Sequence, residues 1–318
     1  MADHTQPSLN DIREAHARIA PHIHRTPVFT STSLDEIAGA KLFFKCENLQ
    51  KTGSFKIRGA TNAILLLSDE EARHGVVTPS SGNHGAALSR AARSRGIQAY
   101  VVMPNNSPMV KRKAVEAYGG CITLCEPTMQ GRQKTCAEVQ ARTGAILIHP
   151  YDDDRIIAGQ GTAAKELLED VPDLDFVIAP VSGGGLLSGT AIASKGIRPR
   201  IRVIGAEPKN ADDAFEAMRA GKIVPCPPPD TIADGLRATL SPRTFAILQR
   251  HVDEISTVTE EEIVAAMLLL WERMKLVVEP SGAVSAAPAL NRRINGAGKR
   301  IGIILSGGNV DLAALPFA

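Results

Sequence analysis

The sequence predicts an α/β fold whose mostly parallel sheets are covered by helices. Short β-branched runs alternate with Ala/Leu/Glu/Arg-rich stretches of helical length along almost the whole chain. Gly/Ser-rich loops follow directly on apolar runs, as they do at the ligand-binding edge of such sheets. With 318 residues, 44% of them apolar, the chain is long enough for two domains, or one large one, around a substantial core.

Strands are expected at 41–46, 75–78, 99–103, 121–124, 146–149, 176–180, 202–206, 254–258 and 300–305. Helical patterns lie at 85–94, 111–118, 132–142, 161–169, 187–195 and 260–274. The longest apolar run, Ile263 to Trp271 between Glu262 and Glu272, reads as one buried helix. It falls far short of the ~20 residues that span a bilayer. The opening MADHTQPSLNDIREAH is polar and lacks the apolar stretch of a signal peptide. The segment 226–231, CPPPDT, reads as a surface loop rather than a linker.

Composition narrows the partners. Lys plus Arg number 36 and Asp plus Glu 34, and the two signs are mixed, so no basic surface for nucleic acid is expected. Aromatics at 4% leave no stacking platform for bases. No membrane partner is expected either. The five cysteines, Cys46, Cys121, Cys125, Cys136 and Cys226, are odd in number and form no C-x-x-C pair. They read as reduced thiols of a cytoplasmic protein rather than a zinc site or a disulfide frame.

The chemistry concentrates in three loops: SSGNHG after Thr78, SGGGLLSG after Val181, and SGGNVD after Leu305. Ser182-Gly183-Gly184-Gly185-Leu186 stands between an apolar run and a helical stretch. Glycines there let the backbone approach a ligand and offer N–H groups to a phosphate at a helix start. The loop lacks the Lys-Ser/Thr ending of a nucleotide-hydrolysing phosphate loop and the G-x-G-x-x-G spacing of a dinucleotide site. Lys56, in KTGSFKIRGA, lies among small residues and Phe55 ahead of a helical stretch. A lysine in such a pocket can lose its proton and attack a carbonyl. A phosphate cradle with an activated lysine points to pyridoxal 5′-phosphate, held by its phosphate and by an imine to the lysine.

KCENLQKTGSFKIRGA, SSGNHG, SGGGLLSG and LSGGNVD, in that order, resemble the fold-type II pyridoxal-phosphate enzymes. Within them the chain is similar to the serine racemase and serine/threonine dehydratase branch, over essentially its whole length. GAEPKNADD, PPDTIADG, TVTEEEI and WERMKLVVEPSGA resemble the racemases in particular. The resemblance implies two open, mostly parallel sheets flanked by helices, with a tryptophan synthase β-like arrangement and the cofactor in the interdomain cleft. Residues 1–74 plus 150–318 would form the large domain, and 75–149 a small mobile domain that closes on substrate.

The same resemblance implies roles. Lys56 would bind the cofactor covalently and act as base on one face of the substrate Cα, and Phe55 would pack near the cofactor. Asn83 would bond the ring hydroxyl. Gly183, Gly184, Gly185 and Leu186 would give backbone donors to the phosphate. Ser182 replaces the first of the family's usual four glycines, and its hydroxyl would add a contact. Ser306 would face the pyridine nitrogen. Ser81 would be the second acid/base group of racemisation, or would seat the substrate carboxylate with Ser80, Asn83 and His84. Arg132 matches a substrate-side arginine and would grip a second carboxylate in 3-hydroxyaspartate. The serine that follows IADG in the racemases is Ala238 here, and Tyr151-Asp152 after the His-Pro pair is dehydratase-like.

Glu207, the Ala211 carbonyl and Asp213 match the family's divalent site, suited to Mg2+, Ca2+ or Mn2+. Lys51, Thr52, Lys275 and Asn309 match parts of an ATP effector site, and the family implies a homodimer. The expected activity is elimination from L-serine or L-threonine to a 2-oxo acid and ammonia, with serine racemisation beside it. Serine racemisation as the principal activity, or threo-3-hydroxyaspartate dehydration, are the alternatives. A non-catalytic sensor would need no Lys56, Asn83 or Ser306.

Overall fold

The computed structural model describes residues 6–317; the first five residues of the polar amino-terminal stretch and the final residue lie outside the described residues. The chain opens with α1 (Leu9–Ile19), β1 (Val28–Phe29), α2 (Thr32–Ala38), β2 (Lys41–Cys46), α3 (Lys56–Leu65) and α4 (Asp69–Arg73). There follow β3 (Val76–Pro79), α5 (Asn83–Ser94), β4 (Ala99–Pro104), α6 (Met109–Ala117), β5 (Gly120–Cys125), α7 (Met129–Thr143) and β6 (Ile146–Leu147). Next come α8 (Asp154–Asp170), β7 (Phe176–Pro180), α9 (Gly185–Ile197), β8 (Arg202–Pro208), α10 (Asp213–Ala220) and α11 (Pro242–His251). The chain finishes with β9 (Glu254–Val258), α12 (Glu260–Met274), α13 (Pro280–Ala283), α14 (Ala287–Leu290) and β10 (Arg300–Leu305).

These strands form a six-stranded sheet, β1-β2-β10-β7-β8-β9, and a four-stranded sheet, β5-β4-β3-β6. Every pairing is parallel except β1 with β2. In β7 every residue is buried, and in β10 all but the first. That is why these runs read as continuously apolar: helices cover both faces. One face of the large sheet packs Val177, Val203 and Ile304 against Ile12, Leu167, Leu187 and Leu248. The other packs Phe44, Ile178, Ile204 and Ile303 against Leu34, Met267 and Leu290. A third cluster joins α3 to the small sheet through Ile57, Ile64, Val76, Leu88 and Ile148.

The register matters most for the site. Leu305 pairs with Cys46, Ile303 with Ile178, and Pro180 with Ala206. The carboxyl ends of β2, β10, β7 and β8 therefore share one edge, and the loops at 47–55, 306–309, 181–184 and 209–212 gather there. Ser54 forms a bridge with Gly307, and Phe55 donates its N–H to the Ser306 carbonyl at 3.0 Å.

Under α3 lies a buried ionic network. Arg58 donates Nε to Glu47 at 2.7 Å, and Nη1 and Nη2 to Glu166 at 2.8 Å each. Lys45 donates to Glu166 at 2.7 Å and to the Thr26 carbonyl at 2.7 Å. Two cations and two carboxylates thus neutralise one another with almost no exposure, tying β2, α3 and α8 together.

Two expectations need correction. The run Ile263 to Trp271 is not buried all round: Ile263, Ala266, Met267 and Leu270 face the core, while Leu269 and Trp271 are half-buried. α12 is amphipathic, with a Thr259/Glu262 capping box at its start. The helix expected from 161 begins at Asp154, because the Asp153 side chain accepts from the Arg155 N–H and caps it. Gly159 and Gly161 lie inside α8 where neighbouring backbones come close. A Cβ on Gly159 would stand 2.6 Å from the Gly59 Cα, and one on Gly161 2.8 Å from the Gly189 carbonyl.

Candidate active site

Lys56 opens α3, and its side chain reaches the Pro150 carbonyl, to which Nζ donates at 3.2 Å. Nζ also lies 5.0 Å from the Phe55 ring centre. Burial of the amine lowers its pKa from 10.5 to about 8. No carboxylate pairs with it among the described ion pairs, so the amine becomes the free base as pH rises through about 8.

The Ser182–Leu186 loop turns from β7 into α9. Ser182 at φ 55° and Gly184 at φ 85° both occupy the left-handed region. No side chain caps α9, so its first-turn N–H groups are open to an anion. The loop is walled tightly. A Cβ on Gly183 would fall 2.5 Å from the Tyr151 ring, and one on Gly184 2.8 Å from the Thr244 Cβ. The Ser182 hydroxyl donates to the Gly235 carbonyl at 3.3 Å and accepts from the Ala238 N–H at 3.3 Å. It pins the 235–238 segment over the loop, an engagement sequence alone does not show.

Asn83 begins α5 and donates to Glu279 Oε1 at 2.6 Å, while its own oxygen accepts from Asn309 at 3.0 Å. Glu279 is fully enclosed. Burial pushes its pKa up and Lys111, 3.8 Å away, pulls it back, leaving it at about 7. Its Oε2 has no hydrogen-bond partner. Ser306 is buried, its hydroxyl 3.3 Å from the Ser281 carbonyl.

In the SSGNHG loop the Ser80 hydroxyl accepts from the Gly82 and Gly85 N–H groups at 3.2 and 2.9 Å. Ser81 is half-buried beside it. The His84 ring is enclosed, with Nε2 3.4 Å from the Ile148 carbonyl. Burial, then the Lys56 charge, hold its pKa well below the usual histidine value, so it is neutral. The Lys111 stem packs on Gly82, and its amine pairs with Asp234 across the two sheets' segments. Arg132 sits in the first turn of α7; its Nε is buried without a partner, and it forms none of the described ion pairs.

Glu207 is the penultimate residue of β8 and is wholly buried; Oε2 accepts from the Phe215 N–H at 3.0 Å and Oε1 has no hydrogen-bond partner. Asp213 accepts from the Leu240 N–H at 3.0 Å. Burial, and for Glu207 also the neighbouring Asp213, raises both carboxyl pKa values, Asp213 to about 6 and Glu207 well above its ordinary range. Ala211 closes the short 3-10 turn Lys209–Ala211 between them. A cleft of about 330 Å³ opens here, lined by Ala211, Asp213, Cys226 and Arg237. No group of three or more His, Cys, Asp or Glu side chains spaced to hold a metal occurs among the described residues. A cation here would take two carboxylates and a carbonyl, and would satisfy the orphaned Glu207 oxygen.

A desolvated lysine, an uncapped glycine-walled helix start and a buried hydroxyl at the end of β10 fit pyridoxal phosphate. The pyridoxal-phosphate dependent enzyme family matches residues 19–307. The chain belongs to that family. The enzyme is 51% identical over 311 residues to the beta-hydroxyaspartate dehydratase of Paracoccus denitrificans, covering 98% of this chain and 99% of that one. It is 53% identical over 309 residues to a serine racemase of Arabidopsis thaliana, covering 96% and 93%. Its structure matches that of maize serine racemase with a TM-score of 0.95 at 50% identity, covering 97% and 95%. The two open sheets and the enzyme class expected from sequence are those observed.

Sequence reasoning missed Glu279, Lys111, Asp234 and the wall role of Tyr151. Glu279 stands in EPSGA, and its only signal there was an acid before a proline in an otherwise apolar, small-residue stretch.

Proposed function

We propose that this pyridoxal-phosphate enzyme eliminates the β-hydroxyl of a β-hydroxy amino acid, giving a 2-oxo acid and ammonia, with serine racemisation beside it. The observation that carries this reading is the desolvated Lys56 amine, with a pKa of about 8, held on the Pro150 carbonyl next to the Tyr151 that walls the glycine loop, with Ser306 and not a carboxylate at the end of β10. When bound, the cofactor supplies an electron-withdrawing ring that acidifies the substrate Cα–H. Gly183, Gly184, Gly185 and Leu186 hold its phosphate by backbone N–H groups, with Phe55 beside the lysine. Asn83, itself fixed by Glu279 and Asn309, orients the ring. Lys56 takes the Cα proton on one face. Ser81 and Ser80, with Asn83 and His84, seat the substrate carboxylate, and on the opposite face the Ser81 hydroxyl returns a proton where racemisation occurs.

A second reading, 3-hydroxyaspartate dehydration, is favoured by Arg132. A guanidinium with an unpartnered buried nitrogen suits a second carboxylate. The Paracoccus dehydratase, alike over nearly its full length, supports the same substrate class.

Several further features belong to this reading. Residues 75–149 form the closing domain over 1–74 plus 150–318. Glu207, Ala211 and Asp213 hold Mg2+, or Ca2+ or Mn2+, and ATP docks by Lys51, Thr52, Lys275 and Asn309. Support comes from Asn309, which donates to the Thr52 carbonyl at 2.8 Å and so brings two of the four together. The protein acts as a cytoplasmic homodimer. All five cysteines are free, and no described helix is long and apolar enough to cross a membrane.

Product analysis tests the function. L-serine, L-threonine and 3-hydroxyaspartate are compared with cofactor and Mg2+ present, and 2-oxo acid and D-serine are measured in one reaction. The expected result is 2-oxo acid in excess of D-serine, with Ser81→Ala lowering D-serine more than 2-oxo acid. D-serine as the main product would make racemisation the principal activity, and no 2-oxo acid from any of the three would overturn the proposal.

A further inference from the structure

The turn at 149–152 touches three parts of the site at once. The Pro150 carbonyl receives the Lys56 amine. The Tyr151 ring lies on Gly183. Asp152 accepts from the Ser241 hydroxyl at 3.0 Å, and Arg243 donates to the Asp152 carbonyl at 2.9 Å. The turn itself is held by His149. Its Nδ1 accepts from the Asp152 N–H at 2.9 Å and from the Tyr151 N–H at 3.4 Å. Its ring meets Tyr151 edge-on, centroids 4.6 Å apart.

An imidazole can accept on Nδ1 only when it is neutral and carries its proton on Nε2. A protonated ring would turn an N–H toward two N–H donors and lose both bonds. We propose that His149 is a positioning residue: its neutral Nδ1 locks the turn that seats the Lys56 amine and walls the phosphate loop, so that protonating it loosens the cofactor. The inference rests on the reading of Lys56 and Gly183–Leu186 as the cofactor seat.

The charged and titratable groups around His149 come from four elements besides the turn. Asp152 lies on the turn, Asp153 caps α8, and Lys56 lies on α3, His84 on α5 and Arg243 on α11. Burial lowers the His149 pKa; the two aspartates oppose this, while Lys56 and Arg243 add to it. Lys56 titrates at about 8 and burial keeps His84 neutral. A folded pKa below the unfolded value means that the turn is fully held above the ordinary histidine pKa of about 6.5 and is released as pH falls through the lowered folded value.

The test uses 4′-deoxypyridoxine 5′-phosphate, which has the cofactor's ring and phosphate but no aldehyde, so proton loss from Lys56 does not enter. Its affinity for the apoenzyme is measured at about pH 7.5 and about pH 5.5. The variant is His149→Asn, whose side-chain oxygen accepts hydrogen bonds without titrating. The fall in affinity on acidification is expected to be about fivefold steeper for the wild type than for the variant, the scale of one lost hydrogen bond. Equal pH dependence in the two would overturn the proposal. A second measurement covers a variant that does not fold: 15N chemical shifts of His149 in the wild-type apoenzyme are expected to show the proton on Nε2, and a proton on Nδ1 would overturn it. Failure of the wild type to bind the probe at either pH is a separate result, against the cofactor seat itself; the tautomer still decides the role of His149.

Discussion

Lys56 has a lowered pKa because of what surrounds it in space. Its sequence neighbours Ser54, Phe55 and Ile57 mark it as unusual, but the carbonyl it meets belongs to Pro150, 94 residues away. The expected consequence is measurable in the apoenzyme. Modification of Lys56 by an amine-directed acylating reagent, read by peptide mass spectrometry, should rise with pH through a midpoint of about 8. The sign follows from burial, which penalises the charged form: below the midpoint the amine is protonated and inert. A midpoint near the ordinary lysine value of about 10.4 would show a solvated amine. The lysine and the glycines were legible because they sit in contiguous motifs. Glu279 was not, because its partner Asn83 lies 196 residues earlier and only the fold joins them.

The strands other than the two-residue β1, and the helices α5, α6, α7, α9 and α12, were legible to within a few residues, since β7 and β10 are apolar throughout and these helices carry long helical patterns, whereas the short helices carried no such signal. The extent of α8 was not legible either. Its glycines mark close approach to α3 and α9, and that approach is invisible until both neighbours are placed. The turn from β7 into α9 carries the same constraint in functional form. Gly183→Ala would drive a methyl group into the Tyr151 ring. Overpacking of this kind costs about 1–3 kcal/mol. Pyridoxal phosphate affinity is expected to fall by about tenfold or more, measured by titrating the apoenzyme. Unchanged affinity would show that the ring yields freely and is no wall.

Across the whole molecule, the Lys45–Glu47–Arg58–Glu166 network couples the large sheet to the helix that bears the lysine. Burial alone would raise the Glu166 pKa, but hydrogen bonds and charge from Arg58, joined by Lys45, bring it down to about 2. A depressed carboxyl pKa gives stability that is complete above the unfolded value of about 4.3 and is lost as pH falls toward 2. Glu166→Gln leaves two buried cations facing one carboxylate. It is expected to destabilise the apoenzyme by about 3–5 kcal/mol in urea unfolding at neutral pH, and to remove part of the wild type's loss of stability in acid. A variant as stable as wild type would show that water or rearrangement already serves these charges.

The place of β10 in the large sheet sets an order of events during synthesis. β10 lies between β2 and β7, yet it leaves the ribosome after all nine other described strands. A nascent chain ending before Arg300 already has Lys56 and the glycine loop, but not Ser306, the carbonyl that receives the Phe55 N–H, or the strand that sets β2 beside β7. The amino-terminal strands must wait, unpaired on that side, for a segment more than 250 residues downstream. Translation therefore delivers Lys56 early and the strand that fixes the Phe55 backbone beside it more than 240 residues later, so the turn that carries Lys56 is completed only once β10 has been made.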